Sequence, residues 1–80
     1  MDPQDIRLLI QRRLQSGRLP HGRTERIWGG AGDGQMCDGC GTIITTGNMA
    51  MQGRASKGGG RPIQFHLPCF QIWDDVRRVA

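Results

Sequence analysis

A small α+β domain that needs support beyond its hydrophobic core is the fold class that the sequence predicts. The chain has 80 residues, about half the length of a typical single domain. Only 36% of its residues are hydrophobic, and it has two Phe, two Trp and no Tyr beside 13 Gly. A core this thin in so short a chain stabilises a fold by only a few kcal/mol. The three cysteines are the candidates for the missing support.

The first predicted element is a helix over residues 1–17. Pro3 suits the first helical position, and Gly17 is a favourable stop. Between them, four apolar residues recur at helical spacing and form an apolar stripe: Ile6, Leu9, Ile10 and Leu14. We expect this stripe to pack on the rest of the domain. The alternative is that it contacts another protein or a second copy of the chain.

Residues 18–35 are predicted to be a glycine-rich, irregular connector. Trp28, in the middle of this segment, is expected to cover an edge of the core. A phosphate-cradling loop is not favoured, because no predicted strand precedes the glycines and no helix with a Lys-Ser or Lys-Thr step follows them.

Residues 36–80 are predicted to form a compact finger that contains the remaining elements. Two short strands at 42–45 and 48–51 are expected to pair as a hairpin around a Thr-Gly turn. A third short strand is predicted at 62–65, and a closing helix at 68–79. The expected sheet is therefore a short hairpin or a three-stranded sheet, with one helix on each side of it in the sequence.

Two pairs of metal-ligating residues, each with a two-residue gap, lie in this finger. Cys37 and Cys40 form the first pair, and His66 and Cys69 form the second. Two intervening residues let the chain turn so that both side chains of a pair point at one ion. Three sulfurs and one imidazole are a ligand set of closed, tetrahedral zinc sites. The sequence therefore predicts one Zn²⁺ bound by all four residues, whose binding energy stabilises the fold.

Other uses of the cysteines stay open. Cys37 and Cys40 alone would suit a redox pair, although such a pair normally opens a helix in a strand-helix-strand unit. An iron-sulfur centre more often has four thiolates, so the histidine favours zinc. Cys69, at a helix start, would be the reactive thiol of a zinc or redox sensor. His21 has no cysteine at ligand spacing and is expected to be an ordinary exposed residue.

Charge and composition favour some classes of function and exclude others. Eleven basic residues against seven acidic ones give a net charge of +4, which suits a polyanionic partner. No apolar run is long enough to span a membrane, and the start of the chain does not resemble a secretory signal. Together with reduced cysteines, these features predict a cytoplasmic protein. No catalytic set of side chains can be assembled, so we expect neither an enzyme nor a small-molecule substrate.

The ligand pairs and their surroundings resemble a treble-clef zinc finger and, more narrowly, the zinc fingers of poly(ADP-ribose) polymerases. The matching segments are MCDGCGTIITTGNMAM and QFHLPCFQIW, with an aromatic before the histidine and a Phe after the last cysteine. The similarity covers less than half of the chain. It implies zinc binding at Cys37, Cys40, His66 and Cys69, and recognition of DNA breaks through backbone phosphates. The sequence is also similar to small bacterial zinc proteins of unknown activity.

Two functions are therefore predicted as alternatives. The first is a structural zinc module that contacts the phosphates of DNA or RNA through five basic side chains: Arg54, Lys57 and Arg61 in a glycine-rich loop, and Arg77 and Arg78 on the closing helix. The second is a zinc-scaffolded interaction or adaptor module without nucleic-acid binding, in which the apolar stripe of the first helix meets the partner.

Overall fold

Two helices and three strands make up the fold. The computed structural model describes residues 3–21, 24–55 and 62–79. In chain order the elements are α1 (Pro3–Gln15), β1 (Thr24–Ala31), β2 (Met49–Ala55), β3 (Ile63–His66) and α2 (Leu67–Val79). The strands form one antiparallel sheet in the order β1-β2-β3. This architecture confirms the predicted small α+β fold class in its three-stranded form.

The register of the sheet separates its two faces. Phe65 on β3 lies opposite Met51 on β2, and Gln64 lies opposite Gln52. Gln52 is in turn opposite Trp28 on β1. Because side chains alternate along a strand, Phe65 and Gln64 point to opposite faces. The Phe65 face packs against α2, and we call the other one, which carries Trp28, Gln52 and Gln64, the amide face.

The core lies between the Phe65 face of the sheet and the two helices. The rings of Phe65 and Trp73 are stacked with centroids 5.2 Å apart, and Trp73 Nε1 donates a hydrogen bond to the carbonyl of Pro20 at 3.1 Å. α1 packs on α2. Its residues Ile10 and Leu14 are fully buried and belong to the core, so the apolar stripe packs within the domain as expected.

The expectation of an irregular connector over residues 18–35 is wrong in its middle, where β1 forms. β1 pairs with β2 along its length. Glycine disfavours strands in isolation, so the Gly29-Gly30 step concealed this one. In the sheet, a Cβ on Gly29 would lie 3.1 Å from Met51 Sδ, so the glycine leaves room for the methionine. Pairing with a distant strand therefore decides the conformation here.

The predicted hairpin between 42–45 and 48–51 is also wrong. Ile43 makes only an isolated bridge with Met36, and the backbone N–H of Asn48 closes a turn on the carbonyl of Thr45 at 3.0 Å. Only the second segment is extended, as part of β2, and its partners are β1 and β3. The Thr-Gly turn was a correct local signal, but the strand partners are set by contacts far apart in the sequence.

Trp28 does not cover the core, contrary to expectation. Its side chain is 44% exposed, because it lies on the amide face, opposite the face on which α2 packs. No helix in the described ranges has the length and apolar content to cross a bilayer.

Candidate metal centre

The four predicted ligands meet at one point between three parts of the fold. Cys37 and Cys40 lie on a short turn before β2, His66 is the last residue of β3, and Cys69 is in the first turn of α2. Their ligand atoms all lie within 4.8 Å of one another. The direct step from β3 into α2 lets one short segment supply both His66 and Cys69.

Two of the distances between ligand atoms are close to those of a tetrahedral metal site. His66 Nδ1 lies 3.4 Å from Cys40 Sγ and 3.9 Å from Cys69 Sγ. A tetrahedral ion with ordinary Zn–S and Zn–N bonds separates such atoms by about 3.6 Å. The site therefore has both the donor chemistry and the dimensions to hold one metal ion.

The turn that carries Cys37 and Cys40 is closed by backbone hydrogen bonds and a glycine. The N–H of Cys37 donates to the carbonyl of Thr42, and the N–H of Gly41 donates to the carbonyl of Cys37, both at 2.9 Å. Gly41 has a φ of +77°, a conformation that costs other residues free energy. This turn holds the two sulfurs on the same side of the chain.

Hydrogen-bond donors surround Cys37 and stabilise its thiolate. The backbone N–H groups of Cys40 and His66 point at Cys37 Sγ from 3.5 Å and 3.4 Å. A hydrogen bond from the Cys69 thiol, helped by these and one further backbone donor, lowers the pKa of Cys37 to about 4 against the opposing effect of burial. Cys37 is thus ionised at neutral pH.

Cys69 has the opposite tendency. Its hydrogen bond to Cys37, then burial and the negative charge of the neighbouring sulfurs, raise the pKa of the Cys69 thiol. Several thiolates this close repel one another unless a cation lies between them. A divalent ion removes that repulsion, so the electrostatics of the cluster fit a bound metal.

Two contacts outside the ligand set orient His66 and Cys40. His66 Nε2 lies 3.3 Å from the carbonyl oxygen of Ile43; when Nε2 donates this bond, the proton is on Nε2 and the Nδ1 lone pair is available to a metal. The hydroxyl of Thr42 lies 3.0 Å from Cys40 Sγ and can donate to it. From the sequence, the contact of Thr42 with Cys40 could have been predicted because the two residues are neighbours, whereas the contact of Ile43 with His66 could not.

α1 is tied to the metal centre by an arginine that sequence reasoning did not select. Arg13 Nη1 donates to the carbonyl of Asp38 at 2.8 Å. Asp38 also pairs with β3, because its N–H donates to the Gln64 carbonyl at 2.7 Å and its carboxylate accepts the N–H of Gln64 at 2.8 Å. Asp38 therefore connects the cysteine turn, α1 and the outer edge of β3.

One side of the centre opens into a cleft. Cys40, His66 and Cys69 contribute to its wall together with Ile6, Met49 and Pro68. Cys37 is fully buried. The cleft gives solvent and chelators a route to the ligands.

The predicted phosphate contacts lie in different surroundings. Arg54 is exposed on β2, while Lys57 and Arg61 lie outside the described residues. On α2, Arg77 and Arg78 both form ion pairs with Asp74, and the Arg77 guanidinium lies 5.3 Å from the centre of the Trp73 ring. The two helix arginines are thus partly neutralised within α2.

No family model, curated protein or solved structure matches this chain. The resemblance to the zinc fingers of poly(ADP-ribose) polymerases has no support from these comparisons. The class of protein is therefore defined by its fold and site alone, as a small α+β domain with a Cys3His cluster that could hold a metal ion.

Proposed function

We propose that this protein is a structural zinc module in which one Zn²⁺ links Cys37, Cys40, His66 and Cys69. The observation that carries this proposal is the convergence of three sulfurs and an imidazole within 4.8 Å. Four protein ligands leave no coordination position for water or substrate, so the metal acts in folding and not in catalysis. We accordingly propose no enzymatic activity.

The order of elements supports a treble-clef type of finger. A cysteine turn is followed by the antiparallel pair β2–β3 and then by α2, which begins next to His66 and carries Cys69 in its first turn. Zinc binding to such a set contributes on the order of 10 kcal/mol, which exceeds what this small core supplies. Three thiolates also suit a reducing compartment such as the cytoplasm.

The zinc proposal is tested by metal content and unfolding. We expect one zinc per chain by native mass spectrometry, and loss of the cooperative thermal transition after chelation, because the ion replaces core stability. His66→Ala should lower zinc affinity and stability. His21→Ala removes the exposed second imidazole of the chain and is the matched control, which should behave like wild type. A chain that stays compact and melts cooperatively after complete chelation contradicts the proposal.

We propose nucleic acid as the partner of this zinc module. The chain carries a net charge of +4. In the described part of the chain, Arg12, Arg18 and Arg54 form no ion pair, so their charges are available to phosphates. Arg77 and Arg78 contribute less, because Asp74 partly cancels their charge. The adaptor alternative has less support, since Ile10 and Leu14, two of the four residues of the apolar stripe, are buried in the core.

Salt-dependent binding tests this partner. Zinc-loaded protein should bind DNA or RNA with an affinity that falls steeply as salt rises, since phosphate contacts release counterions. Arg54→Ala should weaken binding and reduce the salt slope by about one. Arg7→Ala removes the same charge from an arginine that Asp75 already pairs at 3.1 Å, and it should have a smaller effect. Absence of any binding at low salt would refute the proposal.

A further inference from the structure

The amide face of the sheet carries an exposed indole held in one orientation. Trp28 is 44% exposed, and its Nε1 donates a 2.8 Å hydrogen bond to Gln52 Oε1 on the neighbouring strand. This bond ties the indole to β2 and satisfies its single polar group. Because the side chain is already ordered, a ligand that stacks on the indole loses less conformational entropy on binding.

A row of hydrogen-bonding groups continues from this indole across all three strands. Gln52 Nε2 lies 3.3 Å from Gln64 Oε1 and donates to it. Gln64 Nε2 has no hydrogen-bond partner in the described part of the chain, so it can donate to a ligand. The row thus begins with an apolar ring on β1 and ends with an amide donor on β3.

The region around this row is not covered by the helices. α2 packs on the opposite face, against Phe65, and β1 contacts neither helix. The segment before β2 borders the amide face at two places: Asp38 pairs with the backbone of Gln64 at the edge of β3, and Ile43 contacts His66 at the other end of the strand. Trp28, Gln52 and Gln64 therefore lie on an accessible part of the sheet.

Positive charge lies beside the middle of the row and at its β3 end. Arg54 follows Gln52 by two residues, on the same face by strand alternation, and its side chain is exposed. Beyond β3, Arg13 and Arg18 line a hollow together with Gln64 and Asp38. Asp38 is the acidic group of this hollow, and its carboxylate accepts the backbone N–H of Gln64. The arginines outnumber it, which favours an anionic ligand.

We propose that the amide face binds unpaired bases of a single-stranded nucleic acid. Trp28 stacks on a base, the Gln64 amide donates to a base edge, and Arg54 and Arg18 contact the flanking phosphates. This inference rests on the proposed nucleic-acid function and specifies its ligand. Every base has a π-face, so stacking on one tryptophan gives affinity with little sequence preference.

Duplex DNA and an apolar protein partner fit this surface less well. Bases in a duplex are already stacked and cannot lie on the indole without being flipped out. An apolar partner would bury the Gln64 amide without a hydrogen bond, which costs free energy. Single-stranded nucleic acid satisfies the ring, the Gln64 amide and the arginines together.

The test measures binding of the zinc-loaded full chain to a labelled oligothymidylate and to a hairpin duplex at two salt concentrations. Trp28→Ala should weaken oligothymidylate binding by about tenfold or more, as expected for loss of one stacked base, and leave duplex binding unchanged. Trp28→Phe should retain part of the affinity. Ile27→Ala is the matched control, because Ile27 is the neighbouring residue, is 48% exposed and points to the other face; it should bind like wild type.

Fluorescence supplies a second measurement that does not depend on variant affinity. Trp73 is fully buried, so quenching of emission by oligothymidylate should come from Trp28 and disappear in Trp28→Phe. Unchanged zinc content and melting temperature verify that each variant is folded.

Three results would overturn the inference. Trp28→Ala could bind oligothymidylate as tightly as wild type, or it could lose single-stranded and duplex binding equally; either result leaves the proposed nucleic-acid function intact while removing the stacking site. If wild type binds neither nucleic acid at low salt, the proposed function itself fails. In that case, binding of a peptide that quenches Trp28 would assign the surface to a protein partner instead.

Discussion

At the scale of single residues, the fold depends on a few positions where backbone atoms approach closely. A Cβ on Gly32 would collide with the carbonyl of Thr45, and would come within 2.6 Å of Ile44 Cγ2. The N–H of Gly32 also donates to the carbonyl of Asn48 at 2.9 Å. These contacts join the end of β1 to the segment that supplies the Ile43 carbonyl beside His66, so Gly32 indirectly supports the metal centre.

Gly32→Ala should therefore destabilise the zinc-loaded protein by about 1–3 kcal/mol, because the added methyl group overpacks a buried site whose neighbour is backbone. Thermal unfolding with zinc present measures this change. Gly30→Ala is the control, since nothing lies within 4 Å of its added Cβ. Equal melting temperatures for the two variants would show that the close approach at Gly32 does not exist.

At the scale of elements, α1 is part of the core and not an appendage. Ile10 and Leu14 join α1 to α2, and Arg13 joins α1 to the turn of the metal centre through the carbonyl of Asp38. The surface pair Arg7–Asp75 at 3.1 Å adds a further link to α2, although an exposed pair of this kind is worth little. Apolar packing therefore holds α1 in place.

Leu14→Ala should lower the free energy of unfolding by about 2–5 kcal/mol, through lost burial and the cavity that remains. Leu8→Ala changes the same residue type in the same helix at a position that is 55% exposed, and we expect less than about 0.5 kcal/mol. Chemical denaturation of the zinc-loaded forms compares the two. If both variants lose the same stability, α1 does not pack on α2 through Leu14.

At the scale of the whole molecule, folding and metal binding are proposed to be one process. In an unfolded chain the three thiols are protonated at neutral pH, since a free cysteine has a pKa near 8.5. All three become thiolates when they bind zinc. A compact metal-free form differs, because it would already hold Cys37 ionised with a pKa of about 4, while the raised pKa of Cys69 keeps that thiol protonated.

The pH dependence of zinc affinity distinguishes these states. Starting from an unfolded metal-free chain, three protons leave the thiols on binding, so affinity should change by about a thousandfold per pH unit between about pH 7 and 8, and more steeply below about pH 6.5, where the free histidine must also lose a proton. Competition with a chelator of known affinity measures the slope. Release of two protons instead of three would indicate a compact metal-free chain in which Cys37 is already ionised. The lowered pKa of Cys37 stabilises such a compact form. The stabilisation is complete above the pKa of an unfolded cysteine, near 8.5, and it is lost as the pH falls to about 4.

Local sequence patterns were sufficient to predict the four residues that meet at the candidate metal centre, both helices and the fold class. Each of these depends on residues close together in the chain: the two-residue gaps in Cys37–Cys40 and His66–Cys69, and the helical recurrence of Ile10 and Leu14. Local spacing fixes such features because a turn or a helix forms from neighbours.

The other features depend on contacts between segments that are distant in the chain. The pairing of β1 with β2, the exposure of Trp28 on the amide face and the contact of Arg13 with Asp38 all join residues far apart in sequence. The glycines of β1 have no intrinsic preference for a strand, and they are extended because β2 supplies the hydrogen bonds. Which partner a segment meets is a property of the folded whole, and local composition does not encode it.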